Sequence, residues 1–338
     1  MGVIPSGVEP IPIALAPVPG QSHGIVLMAH VQQPTFFSDD AIIDAVPAIA
    51  YYDGLEPIWA TPLGGVLDFE DEMSPLTTDD TYAFFMATVP QGSSLSFASC
   101  FLAPSLNQGA YLGRVLISDG LGCSAVQLWP SLGQDSSVGM AVIASGETLF
   151  AVSRLTGTFS VGNQVEVLNG QLAVQFVGTS LLSVTSSMLL PFVSLSEAPG
   201  FDGMTPFLGD SAVGVGRTIQ GTTAIFRVSP GSVNSVGASC GEEDVTPLGV
   251  LSIETDTFVA VLSCNGDMTI GGVPVGNEGV NGTVFVVLDE QLAIVSSASF
   301  SYTGLDFTAA LDPITGELSV IFPNFGLFSW GGQPLFPK

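Results

Sequence analysis

Positive charge is what this chain has least of. Its 338 residues include only five Lys and Arg against 31 Asp and Glu, a net charge of −26. So few cations cannot neutralise a run of phosphates, which excludes nucleic acid as a partner and argues equally against anionic lipid surfaces. Cations, neutral glycans, basic proteins and further copies of the chain remain open. Histidine is almost as scarce, with His23 and His30 alone. They stand seven apart on or beside one predicted strand, and an odd separation sends strand side chains to opposite faces. A shared metal or a His-based triad is therefore not expected. No His-Glu-x-x-His and no Gly-x-Ser-x-Gly elbow occurs. No apolar run reaches the ~18 residues of a membrane helix, so no membrane insertion is expected. Residues 1–22 lack the charged and apolar regions of a secretory leader.

Cysteine is limited to Cys100, Cys123, Cys240 and Cys264, with no CxxC pair that would suggest zinc or redox chemistry. Three pairings are available. The spacings of 23 and 24, and the shared contexts Phe97-Ala-Ser-Cys100 and Gly237-Ala-Ser-Cys240, favour 100–123 and 240–264, each stapling neighbouring strands. That implies an oxidising compartment; four buried free thiols are the alternative.

What is abundant is glycine, 40 residues, within a chain that is 46% hydrophobic and only 11% charged. With frequent Val, Ser, Thr and Phe, this is the composition of strands and turns. Asp53-Gly54, Asp119-Gly120, Asn169-Gly170, Asn265-Gly266 and Asn281-Gly282 read as tight hairpin turns between antiparallel strands. The sequon Asn281-Gly-Thr283 is read as such a turn. Residues 1–22, with five prolines, form an extended N-terminal arm, either a linker or an edge segment. One short helix is expected over Ser38–Asp44, from its N-cap signal and the stop before Pro47.

Gly266-Asp-Met-Thr-Ile-Gly-Gly-Val-Pro-Val275 returns as Gly326-Leu-Phe-Ser-Trp-Gly-Gly-Gln-Pro-Leu335, with looser copies at Gly157 and Gly209 and degraded ones at Gly65 and Gly109. The steps between these anchors are 44, 48, 52, 57 and 60 residues, about the length of a four-stranded propeller blade. An apolar strand follows each anchor except the last, and Gly24-Ile-Val-Leu-Met-Ala29 at the other terminus could supply the missing one. The fold class expected is all-β: residues 23–338 as a single β-propeller of six four-stranded blades, closed by pairing of N- and C-terminal strands. Five blades is the second count.

These units resemble the bacterial secreted β-propeller repeats (SBBP-like repeats). The segment Gly266 to Asp289, ending in Val284-Phe-Val-Val-Leu-Asp289, carries the pattern best, and Gly157 to Val177 less fully. The resemblance implies an extracellular propeller and brings no catalytic residues with it.

Candidate chemistry is sparse. The acidic run Asp68, Glu70, Asp71 and Glu72 offers oxygen ligands suited to calcium, against the alternative of a solvated loop; no other cofactor is expected. Arg114, Arg154, Arg217 and Arg227 could grip a substrate carboxylate but read better as salt-bridge partners. Trp59, Trp129 and Trp330 could stack on sugar rings but read better as core. A non-catalytic, secreted or cell-surface recognition or adhesion module is therefore expected, with a glycan or protein ligand. A self-associating structural subunit of a surface layer or fibre, and a carbohydrate-active enzyme, are the alternatives.

Overall fold

The computed structural model describes residues 11–30, 35–38, 41–43, 47–65, 75–104, 106–130, 135–196, 203–241, 244–252, 256–276, 281–300, 308–311, 318–322 and 326–329. They are all-β: among the described residues no helix occurs, and antiparallel meanders follow one another along the chain. Two compact units divide it, Met1–Leu189 and Leu190–Lys338.

In the first unit, three four-stranded sheets succeed one another. The first contains Ile11–Pro17, Gly24–His30, Pro47–Asp53 and Glu56–Pro62 in that spatial order. The second orders Leu76–Thr78, Tyr82–Val89, Gly109–Leu116 and Cys123–Gln127, and the third Ser136–Ser145, Thr148–Val161, Gln164–Gly178 and Ser183–Leu189. The sheets pack face to face. Ala83, Phe85, Ala87 and Val89 enter a core shared with Val26, Ile49 and Trp59 of the first sheet. Their neighbours Phe84 and Met86 enter another, shared with Leu149, Ala151 and Ala173 of the third. Because successive strand side chains alternate between faces, a strand buried on both faces must be apolar throughout, which is why Tyr82–Val89 reads Tyr-Ala-Phe-Phe-Met-Ala-Thr-Val. Side chains also stitch sheet to sheet: Thr78 donates to the Pro17 carbonyl, and the Thr88 hydroxyl accepts the Gly139 amide at 3.0 Å.

The second unit repeats the scheme. Thr246–Ser252, Thr257–Asn265, Asn281–Asp289 and Ile294–Phe300 form a four-stranded meander that packs on a sheet built around Ser211–Thr218, Thr223–Ser229 and Ser232–Cys240. Thr308–Leu311, Leu318–Phe322 and Gly326–Ser329 form a further three-stranded sheet. Meanders stacked through both faces are the construction of propeller blades.

Several expectations need correction. Gly24–His30 does not complete the last repeat: Ile11–Pro17 occupies one of its edges and Pro47–Asp53 the other, and a strand has no third. Ile11–Pro17 makes part of the N-terminal arm an edge strand. The helix over Ser38–Asp44 is absent; Thr35–Ser38 and Ala41–Ile43 pair as a hairpin, the β preference of Phe36, Phe37, Ile42 and Ile43 prevailing over a cap signal. Asn169-Gly170 and Asn281-Gly282 lie within strands rather than at turns.

The anchors mark two kinds of place. At Gly266 the motif is a hairpin, Met268–Ile270 with Val273–Val275, closed by Gly271 and Gly272 at φ of 58° and 82°. Both values belong to a two-residue type I′ turn, which a side chain would strain. The Gly157 copy likewise turns through Gly162 and Asn163, joining Val161 to Gln164. Gly209 instead sits between Met204–Phe207 and Ser211–Thr218, Gly109 begins a core strand, and Gly65 follows the isolated bridge from Gly64 to Ser96. Glycine serves any tight turn, so short glycine motifs match by turn chemistry at positions that are not equivalent.

Candidate functional site

Both disulfides form as the spacing indicated, Cys100–Cys123 and Cys240–Cys264, each with Cα atoms 5.9 Å apart. Neither staples neighbours within one sheet. Cys240 lies on Ser232–Cys240 and Cys264 on Thr257–Asn265, strands of different sheets, and the Gly266 hairpin adds to the first of these through Ala238 and Ile270. Cys100 belongs to a short hairpin with Phe97, while Cys123 opens the outer strand of the second sheet. The covalent links indicate an oxidising, extracellular-type environment. Among the described residues no helix is long and apolar enough to cross a membrane.

The Cys100–Cys123 link lies just before residues 102–104 and 106–108, which line a cleft of about 390 Å³. The Leu102 amide donates to the Leu95 carbonyl at 2.9 Å, holding the near end. Ser137 of the third sheet holds the far end: its amide donates to the Gln108 carbonyl at 3.2 Å, and its hydroxyl accepts the Ala110 amide at 2.9 Å. The opposite wall comes from Gln127, Trp129 and Pro130 at the end of the second sheet, with Asp135 and Phe159 from the third. Tyr111 also lines it. The cleft thus opens where the second and third sheets part.

Its lining combines three aromatic side chains, Tyr111, Trp129 and Phe159, with the amides of Asn107, Gln108 and Gln127. Trp129 sits at φ of 54°, unusual for a bulky residue. It is 3% exposed, and among the described residues its indole N–H has no acceptor. An unmet buried donor costs about 1–3 kcal/mol. Asp135 is the one charged side chain in the described lining; its Oδ1 accepts the Thr158 amide at 3.0 Å. Gly157 makes that contact available, since a Cβ there would fall 2.1 Å from the carboxylate.

Apart from Trp129, the sequence-predicted candidates among the described residues lie outside this lining. Asp68, Glu70, Asp71 and Glu72 lie outside the described residues, as do Asp39, Asp40, Glu242, Glu243 and Trp330. Among the described residues no three His, Cys, Asp or Glu cluster as metal ligands would. The Asp79 carboxylate accepts the amides of Thr81 and Tyr82 and shapes a turn. His23 is exposed in a turn, and His30 ends Gly24–His30 in register with Ile11 and Pro47. Arg114 and Arg154 belong to the first unit, Arg217 and Arg227 to the second. Arg217 lies 3.8 Å from exposed Asp244, and Arg154 lies mid-strand opposite Val138 and Leu172. Arg114 and Arg227 serve carbonyl oxygens instead. Arg114 lies over the Tyr82 ring at 4.3 Å and donates to Thr179 and Ser180 at 2.6 and 2.8 Å. Arg227 lies over Phe207 at 5.5 Å and donates to Glu290 at 2.9 Å. Each reaches from the third strand of one meander to the last turn of the next sheet, clipping the two together.

Trp59 is core as expected, its indole donating to the Ile117 carbonyl at 2.7 Å. Trp129 is buried too, yet it walls the cleft. Its position before Pro130, at a strand end, was the available sequence signal.

No family model matches the chain, and no curated protein matches it. The likeness to SBBP-like repeats therefore has no family match behind it. Among solved structures the chain is similar to "Crystal structure of AofleA from Arthrobotrys oligospora", at 10% identity over 94% of this chain and 81% of that one, with a TM-score of 0.39. It is also similar to "Structure of Dos1 propeller", at 11% identity over 97% of this chain and 96% of that one, with a TM-score of 0.30. Superpositions this loose carry no argument. The reading of the fold rests on the sheets themselves.

Proposed function

We propose that this chain is a secreted, non-catalytic recognition module of propeller type, its meanders serving as six blades, that binds a glycan in the cleft at Trp129. One observation carries the reading: a buried indole N–H with no acceptor among the described residues, in a cleft walled by aromatic rings and carboxamides. Sugars present apolar ring faces for stacking and hydroxyls that both donate and accept, and ligand sites combine apolar walls with a few placed polar groups in this way. A sugar hydroxyl that seats against Trp129 once a lining side chain gives way accepts from that donor. Glycosidase chemistry calls for two carboxylates flanking the bond, whereas the described lining offers only Asp135, which favours binding over hydrolysis.

The test is a saccharide array followed by calorimetry on the hits, with Trp129→Phe as the variant that keeps a ring and removes the N–H. Loss of one hydrogen bond of about 1–3 kcal/mol weakens binding roughly five- to 150-fold. No hit on the array, or hits whose affinity is unchanged in Trp129→Phe, overturns the assignment.

A further inference from the structure

We infer that the cleft selects saccharides that carry a free ammonium group, and that Asp135 is the residue that discriminates; this rests on the glycan reading above. The described lining holds a single charge, and it is negative. The carboxylate is set in place by the structure: Oδ1 takes the Thr158 amide at 3.0 Å, and the backbone of Gly157, at φ of 120°, passes where any Cβ would strike it. The same lining holds three aromatic side chains, Tyr111, Trp129 and Phe159, each 3% exposed. Ring faces attract ammonium groups through their quadrupoles, the more so where water is excluded. The rest of the molecule acts in the same direction, because a net charge of −26 concentrates cations near the surface and repels anions. A uronic acid meets only repulsion there, and a neutral hexose gains the rings and amides but not the ion pair. A deacetylated hexosamine gains all of them, and its hydroxyls provide the acceptor that Trp129 lacks.

Calorimetry at pH 6 and low salt, using glucosamine, N-acetylglucosamine, glucose and glucuronic acid as probes, tests this on the full chain. The expected order is glucosamine first by at least tenfold over glucose and N-acetylglucosamine, with glucuronic acid weakest. The margin shrinks as salt is added. In Asp135→Asn the preference disappears, and in Asp135→Glu it is retained in part. Equal affinities for glucosamine and glucose in the unaltered chain overturn the inference without needing any variant to fold, as does a preference that survives Asp135→Asn. These outcomes leave the glycan reading intact. Failure of all four sugars, together with failure of the wider array, removes the glycan reading itself. Choline binding in their place assigns the cleft to a cation without a sugar and overturns both.

Discussion

Adjacent residues on one strand give the sharpest test of a sheet buried on both faces. Phe84 and Phe85 are both 0% exposed, yet they belong to different cores. Phe85 stands edge-on to Phe97 with centroids 4.9 Å apart, and fills space that Gly113 leaves open: a Cβ on Gly113 would lie 2.3 Å from its ring. Phe84 points the other way, toward Leu149 and Ala151 of the third sheet. Truncating a buried phenylalanine to alanine costs about 3–5 kcal/mol, transfer and cavity together. With a urea dependence of about 1–3 kcal/mol per molar, Phe84→Ala and Phe85→Ala should each lower the unfolding midpoint by about 1–5 M. Intrinsic fluorescence reads both interfaces, because Trp59 lies in the core that Phe85 enters and Trp129 in the core that Phe84 enters; a Trp330→Phe background removes the third indole. A sheet with one wet face would show one large loss and one close to zero. A loss below about 0.5 kcal/mol at either position would refute the stacking of the three sheets.

Arg114→Lys keeps the charge but loses the planar fork that reaches both Thr179 and Ser180. It should destabilise the first unit by about 1–3 kcal/mol, and a melting temperature equal to the unaltered chain's would show the clip to be idle. Burial, reinforced by the charge of Asp53, raises the Tyr51 hydroxyl above its ordinary value, and burial alone raises Tyr52. A raised folded-state value means the folded chain holds these protons longer than the unfolded one, so the stability they contribute is complete below about pH 10 and falls as pH climbs through the folded values. Urea midpoints that stay flat from pH 9 to 11, or a Tyr51→Phe variant with an alkaline decline as steep as its parent's, would contradict this. Cys100 and Cys123 are partly exposed, whereas Cys240 and Cys264 are 1% and 3% exposed. Mild reductant followed by alkylation and mass spectrometry should therefore label the first pair while the second stays closed until the chain unfolds, and simultaneous labelling would count against the exposure difference.

Features that depend on local chemistry were legible in the sequence. The disulfide pairs followed from spacing and context, and the all-β class from glycine and β-branched composition. Asp53-Gly54 and Asp119-Gly120 do turn hairpins, with Gly54 and Gly120 at φ of 63° and 68°. Features that depend on partners were not legible. Nothing in Gly24–His30 says that both its edges are taken by its own neighbours. The cap signal at Ser38 could not report that Thr35–Ser38 and Ala41–Ile43 would pair. Arg114 and Arg227 looked like ion-pair residues in an acidic chain, but the carbonyls they serve lie 63 or more positions away. The cleft is the extreme case, since its walls run from Leu102 to Phe159 and only folding brings them together.

The same physics explains why the repeats look so unequal. A central strand such as Tyr82–Val89 touches a core on each side, and such cores accept many apolar residues provided total volume is kept. Drift is therefore cheap along the strands. It is costly at turns that need positive φ, where Gly271 and Gly272 have no easy replacement. Likeness between units survives mainly as glycine, which marks turns of every kind and slides out of structural register, as at Gly109 and Gly209. Recognition has freedom where two sheets diverge at their ends, because side chains there are no longer held to complementary volume. The cleft lies at the ends of the second and third sheets, and its lining mixes Tyr111, Trp129 and Phe159 with the polar Asn107, Gln108, Gln127 and Asp135.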